Sequence, residues 1–203
     1  MQRFCDNPRL ISVDMLAKLD KDPPGTWCGQ KKLDGWRRTI TKSAGNPTGT
    51  PWSYQAKHTS GLAAKSMPDD LRTTFESLPW PAGVYDCEWV GPRQAGGEHS
   101  LWVFDLLHGK GRWLGDTPFF HRYALLKEIM AGVAWKNAGG IYLVPVFSNP
   151  GLVDRFMEQT TDDLSEGIVI RRADSGLVGS TTACKDNPLW FKVKFKDPTG
   201  GTR

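Results

Sequence analysis

Cysteine is scarce in this sequence, which has only four among 203 residues, at positions 5, 28, 87 and 184. The four lie far apart and form no C-x-x-C pair, so the pattern indicates neither a zinc knuckle nor a dense disulfide framework. Scattered cysteines of this kind are typical of a reduced, intracellular protein. We therefore expect a cytoplasmic location.

Long apolar runs are also missing. No segment approaches the roughly 18 apolar residues of a membrane span, and the opening MQRFCDNPRL lacks the apolar stretch of a signal peptide. We expect no membrane partner.

A large excess of one charge is absent too, because the chain has 26 basic and 22 acidic residues, which gives a net charge of +4. This balance permits a nucleic-acid partner without requiring one.

Apolar residues make up 39% of the chain, with nine Trp and nine Phe, which is enough for a folded core. Helical spacing predicts helices over 13–20, 68–78, 117–135 and 151–164. Runs of β-branched and aromatic residues predict strands over 30–42, 52–57, 83–91, 100–108, 141–148, 166–172 and 189–197. The mixture predicts an α+β fold.

Two stretches rich in Gly, Ser, Thr and Asn predict loops, a long hairpin loop over 43–52 and a mobile surface connection over 173–188. No shift in composition marks a domain boundary. We expect a single domain over 1–203, and a monomer.

Two of the predicted strands concentrate basic residues. In QKKLDGWR, Gln30, Lys32 and Asp34 alternate onto one face, and the Asp34-Gly35 turn could direct Lys32 and Arg37 into one cleft. A basic hairpin on a solvated surface explains the pattern equally well. In LWFKVKFKD, Lys192, Lys194 and Lys196 share one face, which indicates either an anion-binding face or the lysine protection of an edge strand.

Two other strands carry carboxylates. VYDCEWVG sets Asp86 and Glu88 on one face of an apolar strand, where burial is costly unless a cation compensates. SEGIVIRR sets Glu166 at the start of a strand that ends in Arg171, and a carboxylate there could bind a hard cation. The alternative for VYDCEWVG is an edge strand whose acids face solvent. The alternative for SEGIVIRR is a strand with polar ends.

Taken in order, these motifs resemble those of the covalent nucleotidyltransferase superfamily, which comprises ATP-dependent DNA ligases, RNA ligases and mRNA capping guanylyltransferases. The motifs are KLDGWR (32–37), DCE (86–88), FD (104–105), EGIVIR (166–171) and KVK (192–194). The Glu that opens EGIVIR, and the segments MPDDL and PFFHRYALLKEI, look closer to DNA ligases. The resemblance implies an ATP-grasp-like α+β nucleotidyltransferase domain, with antiparallel sheets flanked by helices and no C-terminal OB-fold in this chain.

The resemblance also implies a reaction. Lys32 attacks the α-phosphate of ATP to form lysyl-AMP, AMP passes to a 5′-phosphate at a nick, and the 3′-hydroxyl displaces it. A free lysine is almost fully protonated at neutral pH. The site must therefore make Lys32 release its proton, which Lys192, Lys194 and a bound Mg²⁺ or Mn²⁺ would favour. An ATP-dependent DNA ligase, or its adenylation domain, is the leading hypothesis.

Further residues take roles from the same resemblance. The nucleotide would contact residues from all five motifs and their neighbours, namely Gln30, Lys31, Arg37, Glu88, Phe104, Glu166, Lys192 and Lys194. Phe104 would stack on adenine, although a plain core position is an equal alternative. The metal would be held by Asp34, Glu88 and Glu166. Nucleic acid would contact Arg37, Lys57, Arg171 and Lys196, whereas Lys31 and Arg38 are expected to face solvent.

The chain departs from the ligase pattern in four places. Gln30 stands where DNA ligases often have Glu, Cys87 replaces a Gly, and Lys57 or His58 stands near the place of an Arg. Few residues follow Lys194, so OB-fold function would come from a segment missing here or from a separate partner, unless the chain is a minimal enzyme. The expected substrate is nicked duplex DNA, with RNA ligation, or nucleic-acid binding without catalysis, as alternatives.

Overall fold

The computed structural model describes residues 6–42, 55–56, 68–92, 98–131, 140–177 and 186–195. The chain folds into two compact units, and all statements below concern the described residues. Unit 1 comprises Met1–Asp34, Pro118–Phe120 and Pro145–Arg203, and unit 2 comprises Gly35–Thr117 and His121–Val144. Unit 2 is therefore inserted into the sequence of unit 1. That the 203 residues form one domain stays a prediction.

The helices lie close to their predicted positions. They are α1 (Val13–Leu19), α2 (Asp69–Ser77), α3 (Phe119–Ala131) and α4 (Leu152–Glu158), and a 3-10 turn (Gln159–Thr161) follows α4. The Ser12 side chain caps α1 by accepting a hydrogen bond from the backbone N–H of Met15 at 3.2 Å. Within the described part of the chain, no helix is both long and apolar enough to span a membrane.

The strands follow the predicted apolar runs with a few differences. They are β1 (Asn7–Leu10), β2 (Trp27–Leu33), β3 (Trp36–Lys42), β4 (Gln55–Ala56), β5 (Gly83–Val90), β6 (Ser100–Gly109), β7 (Arg112–Trp113), β8 (Ile141–Leu143), β9 (Val146–Ser148), β10 (Ser165–Arg172) and β11 (Asp186–Lys194). The predicted strand 30–42 is two strands, because the Asp34-Gly35 turn divides it. The predicted loop 43–52 lies outside the described residues.

Unit 1 contains a five-stranded sheet in the order β1-β11-β10-β2-β9. Alternation places Ile168, Ile170 and Val193 on one face, where they pack with apolar residues of α1 and α4. The other face is therefore turned away from this core. β1 lies parallel to β11, and the remaining pairs are antiparallel.

Unit 2 contains a second sheet in the order β4-β3-β5-β6-β7, with β8 paired in parallel to β6. Its core joins Ile40, Tyr85 and Leu101 of the strands to Phe75 of α2 and Leu126 of α3. The predicted α+β class is confirmed. The sheets are mixed rather than purely antiparallel, because β1 and β8 each add a parallel pair.

Candidate functional site

Lys32 lies on β2, the strand of unit 1 that pairs with both β10 and β9. Its ammonium group donates to Glu166 Oε1, and Glu166 Oε2 accepts from the Lys194 ammonium at 2.7 Å. The three residues come from three adjacent strands, β2, β10 and β11. One carboxylate thus holds two of the lysines that the sequence motifs singled out.

A glycine explains how Glu166 reaches this position. Gly167 has φ of +144°, and a Cβ at this residue would lie 1.9 Å from the carbonyl oxygen of Val193. Only glycine fits between the neighbouring backbones here. The pairing of β10 with β2 also shifts between Ser165 and Gly167. The Gly of EGIVIR is therefore a local requirement of the sheet.

The register of the sheet places Lys192 on the same face as Lys32 and Lys194. Val169 is directly opposite Gln30 on one side and Lys192 on the other, while Gly167 is opposite Lys32 and Lys194. Directly paired residues project from the same face of a sheet. We call this face of the unit 1 sheet the polar face, and it carries Gln30, Lys32, Arg171, Lys192 and Lys194.

Charge on the polar face perturbs its ionisable groups. Burial by itself would raise the pKa of Glu166, but the ammonium groups of Lys32 and Lys194 outweigh it and leave the pKa below its ordinary value. Burial lowers the pKa of Lys192, and the positive charges of Lys32 and Lys194 lower it further. Clustered cations of this kind favour an anion, such as a phosphate group, beside Lys32.

Lys31 has a different environment from Lys32, because adjacent strand residues project from opposite faces. Its ammonium donates to Asp162 Oδ2, and Asp162 Oδ1 accepts from the backbone N–H of Leu164 at 2.8 Å. The backbone of Asp34 in turn donates to the carbonyl of Leu164 at 3.0 Å. These contacts fix the C-terminal end of β2. Sequence reasoning missed Asp162, since nothing in its local pattern marks it.

Arg171 is buried at the other end of the polar face. Its guanidinium lies over the rings of Phe119 and Trp190, at 4.0 and 4.3 Å from their centroids, and donates to Gln30 Oε1 at 3.0 Å. Arg171 and Gln30 are each only 3% exposed. The prediction that Arg171 contacts nucleic acid therefore does not fit its position, because the guanidinium is enclosed by aromatic rings and an amide.

In unit 2, Asp86 is buried and paired with Arg37, so of the two alternatives for VYDCEWVG the structure supports the buried, cation-compensated one for this residue. Arg37 Nε donates to Asp86 Oδ1 at 2.9 Å, and its Nη2 donates to Oδ2. Arg37 also lies over the Phe104 ring, 5.4 Å from its centroid, and is paired across the strands with Glu88. Phe104 and Glu88 are half-buried. That Phe104 stacks on adenine stays a prediction.

Two other arginines of unit 2 are structural. Arg122 donates to both carboxylate oxygens of the fully buried Asp105, at 3.0 and 2.8 Å, so the Asp of the FD motif anchors α3 to β6. Arg38 is 4% exposed and lies 5.6 Å from the ring centre of Trp89. The prediction that Arg38 faces solvent is wrong, because the strand alternation turns it toward this ring.

The predicted metal ligands lie in different parts of the chain, with Asp34 and Glu166 in unit 1 and Glu88 in unit 2. Among the residues described, no three of the side chains His, Cys, Asp and Glu gather as a metal site. Mg²⁺ is commonly bound by only one or two carboxylates together with the phosphates of the substrate. A single carboxylate such as Glu166 is compatible with that kind of binding. Lys57 and Lys196 lie outside the described residues.

The fold can be compared with known proteins. No protein-family model and no curated protein matches the chain. Mycobacterial DNA ligase D in complex with ATP and MES superposes with a TM-score of 0.60 and 21% identity, covering 84% of this chain and 55% of that one. A structure of Lig E DNA ligases, described as a minimal scaffold, superposes with a TM-score of 0.58 and 13% sequence identity. The match covers 96% of this chain and 69% of that one.

The ATP-dependent DNA ligase of bacteriophage T7, in complex with ATP, is similar as well, with a TM-score of 0.56 and 12% identity over 94% of this chain and 68% of that one. The chain spans about half the length of the mycobacterial ligase structures. At these identities the comparison establishes the fold. It is the nucleotidyltransferase fold of ATP-dependent DNA ligases, as the sequence motifs predicted.

Proposed function

We propose that this chain is the adenylation domain of an ATP-dependent DNA ligase, with Lys32 as its nucleophile. The supporting observation is the polar face of unit 1, where Lys32, Lys192 and Lys194 surround Glu166. Such a cluster of positive charge can bind the α-phosphate and stabilise the negative charge that develops on it during attack by the amine. The likeness in fold to ligases solved with ATP supports the same function.

The proposed reaction has three steps. The Lys32 amine attacks the α-phosphorus of ATP, an N–P bond forms, the bond to pyrophosphate breaks, and the amine loses a proton. The AMP group then passes to the 5′-phosphate of a nick. Finally the 3′-hydroxyl attacks that phosphate, which seals the strand and releases AMP.

Other residues take supporting roles in this proposal. Arg37, Glu88 and Phe104 of unit 2 contact nucleotide, and Lys57 and Lys196 contact nucleic acid. When bound, Mg²⁺ or Mn²⁺ would neutralise phosphate charge, and Glu166, which lies beside Lys32, is the carboxylate that we assign to it. A separate OB-fold partner, or a segment outside this sequence, would supply further grip on the duplex. We propose a cytoplasmic monomer.

The first test is incubation with α-labelled ATP or GTP and magnesium, followed by denaturation and a count of protein-bound label. We expect acid-labile label from ATP in the wild type and none in Lys32→Ala. Lys32→Arg should also fail, because a guanidinium stays protonated. Lys18→Ala, which changes an exposed lysine at the end of α1, is the matched control and should label normally.

Two results would contradict the proposal. Label retained by Lys32→Ala would place the nucleophile elsewhere. Absence of label in the wild type, combined with failure to seal a pre-adenylated nick, would leave a fold without this chemistry, as in a nucleic-acid binding module. Sealing is then compared on nicks in DNA and in RNA, since faster sealing of RNA would favour the alternative of an RNA ligase.

A further inference from the structure

Lys32 lies on a part of β2 that the sheet holds from one side. Among the described strands, β9 pairs with residues 28–30 and begins at Val146, directly after Pro145, which has no N–H to extend the ladder. On the other side, the pairing of β2 with β10 shifts its register next to Lys32. Such a shift disrupts the ladder locally. The backbone at Lys32 is therefore held less firmly by strand pairing than the backbone at residues 28–30.

The segment between the 3-10 turn and β10 supplies further contacts to this end of β2. The Lys31 ammonium donates to Asp162 Oδ2. The backbone N–H of Asp34 donates to the carbonyl of Leu164 at 3.0 Å. One contact lies directly before Lys32 in the sequence and the other lies two residues after it. Together they fix the strand on both sides of Lys32.

The Asp162 carboxylate is itself fixed by its own segment. Its Oδ1 accepts from the Leu164 N–H at 2.8 Å, and its backbone carbonyl accepts from the Ser165 N–H at 3.0 Å. Burial raises the pKa of Asp162, but the hydrogen bonds from Lys31 and from the Leu164 N–H outweigh it and leave the pKa below its ordinary value. The carboxylate is therefore charged at neutral pH, and one of its oxygens meets Lys31 in a set position.

The direction of this contact suits a role in alignment. Lys31 and Lys32 project from opposite faces of β2, so Asp162 holds the strand from the side opposite the polar face. An amine that attacks phosphorus must approach it closely and from one direction. A displacement of about 1 Å can cost about 100-fold in rate. Small movements of the β2 backbone at Lys32 would therefore slow its attack.

We propose that Asp162 is a positioning residue for Lys32. It acts through Lys31 and through the turn at Leu164, which together fix the β2 backbone so that the Lys32 amine meets the α-phosphate in a productive direction. Asp162 itself contacts neither the amine nor the nucleotide in this role. The inference rests on the proposed function, because it takes Lys32 as the nucleophile.

The first test measures the rate of label transfer from α-labelled ATP to the protein at several ATP concentrations. Asp162→Asn keeps an acceptor for the Leu164 N–H, but its other atom becomes an NH₂ donor that cannot accept from Lys31. We expect the rate constant at saturating ATP to fall at least about fivefold, and the ATP concentration that gives half this rate to change less than about threefold. A smaller fall in rate, or a larger change in that concentration, overturns the inference.

The matched control is Asp163→Asn, which makes the same substitution at the exposed neighbouring residue and should label at the wild-type rate. Equal slowing in this variant would assign the effect to loss of negative charge in the segment, and would overturn the inference. Thermal unfolding checks that each variant folds. Should Asp162→Asn fail to fold, Lys31→Met decides by the same measurements, because it removes the same contact from the other side.

A double variant tests whether Asp162 acts through Lys31. Lys31→Met should slow labelling as Asp162→Asn does, since each removes the same contact. The loss in Lys31→Met/Asp162→Asn should then exceed the loss in Asp162→Asn by no more than about twofold. A double variant whose loss is the product of the two single losses would show that the residues act separately, and would overturn the inference.

Hydrogen exchange separates this role from the proposed function. The peptide that covers residues 31–34 contains the Asp34 N–H, which is bonded to the Leu164 carbonyl. We expect this peptide to exchange at least about fivefold faster in Asp162→Asn than in the wild type or Asp163→Asn.

The outcomes of labelling and exchange are distinguishable. If the wild type takes no label but exchange rises in Asp162→Asn as expected, the proposed function fails and the hold of Asp162 on β2 stands. If the wild type takes label, and Asp162→Asn labels and exchanges like the wild type, the function stands and the positioning role fails. Absence of both the label and the change in exchange overturns both.

Discussion

Arg37 and Asp86 form a two-point ion pair within unit 2, in which the carboxylate is completely buried. The pair links neighbouring strands β3 and β5. A buried charge of this kind is tolerated because its partner supplies both charge and hydrogen bonds. The pair is therefore a structural requirement of the sheet that also carries Glu88 and Phe104.

Asp86→Asn should destabilise the protein by about 3 to 5 kcal/mol, because it removes the charged partner from a buried two-point ion pair. The measurement is urea-induced unfolding. Glu158→Gln is the control, since it breaks the exposed ion pair with Arg155 and should cost at most about 0.5 kcal/mol. Equal losses in the two variants would mean that the buried pair contributes no more than a surface pair.

Gly167→Ala should destabilise the protein by about 3 kcal/mol or more, because the added Cβ meets the Val193 carbonyl and the backbone has a positive φ. Gly111→Ala separates these two causes. Gly111 has φ of +76° with nothing within 4 Å of an added Cβ, so it should cost only about 1 to 2 kcal/mol. Similar costs at both positions would exclude the close contact as a cause.

Glu166 should make stability depend on pH in the acid range. Its folded pKa is lowered below the ordinary value of 4.5, so its contribution is present above pH 4.5 and is lost as pH falls through the folded pKa. Unfolding by urea near pH 6 and near pH 3 measures this loss. Glu166→Gln should show a smaller loss over that range, whereas Glu158→Gln should behave like the wild type.

Phe104→Ala should raise the KM for ATP by about 5- to 150-fold, if stacking on the base is worth about 1 to 3 kcal/mol. Protein-bound label at saturating ATP should still form, because Lys32 is unchanged. Phe104→Leu keeps an apolar side chain without the aromatic ring and should resemble Phe104→Ala. A KM equal to that of the wild type in both variants would remove Phe104 from the nucleotide site.

Much of this site follows from strand alternation. The pattern LWFKVKFKD correctly separates Lys192 and Lys194 from the buried Val193, because the period of two is imposed by the backbone. For VYDCEWVG the cost of burial predicted that an acid there, if buried, would need a cation, and the structure shows Asp86 buried against Arg37. Both inferences depend on residues that lie close together in the sequence.

Partners that are distant in sequence could not be predicted in the same way. Asp162 binds Lys31 and Phe119 covers Arg171, but nothing in their local patterns distinguishes them. Arg171 shows the difficulty most clearly, because an arginine at a strand end ordinarily indicates a solvated surface. Its burial depends on the rings of Phe119 and Trp190, which belong to other elements and come next to Arg171 only when the chain folds.

The apolar run 141–148 shows a different limit. Its composition predicts one strand, but Ile141–Leu143 joins the sheet of unit 2 and Val146–Ser148 joins that of unit 1. Pro145 lies between them and has no N–H to continue a ladder. Composition indicates that a segment is extended, whereas the choice of sheet depends on the whole chain.

The insertion of unit 2 into unit 1 has a consequence for synthesis. Lys32 precedes Glu166 by 134 residues, and Asp6 precedes its hydrogen-bond partner Asn187 by 181. On the ribosome, therefore, the residues of unit 2 emerge between the two parts of the unit 1 sheet. Lys32 on β2 acquires the counter-charge of Glu166 only once β10 has been synthesised, so this cluster is completed late in translation.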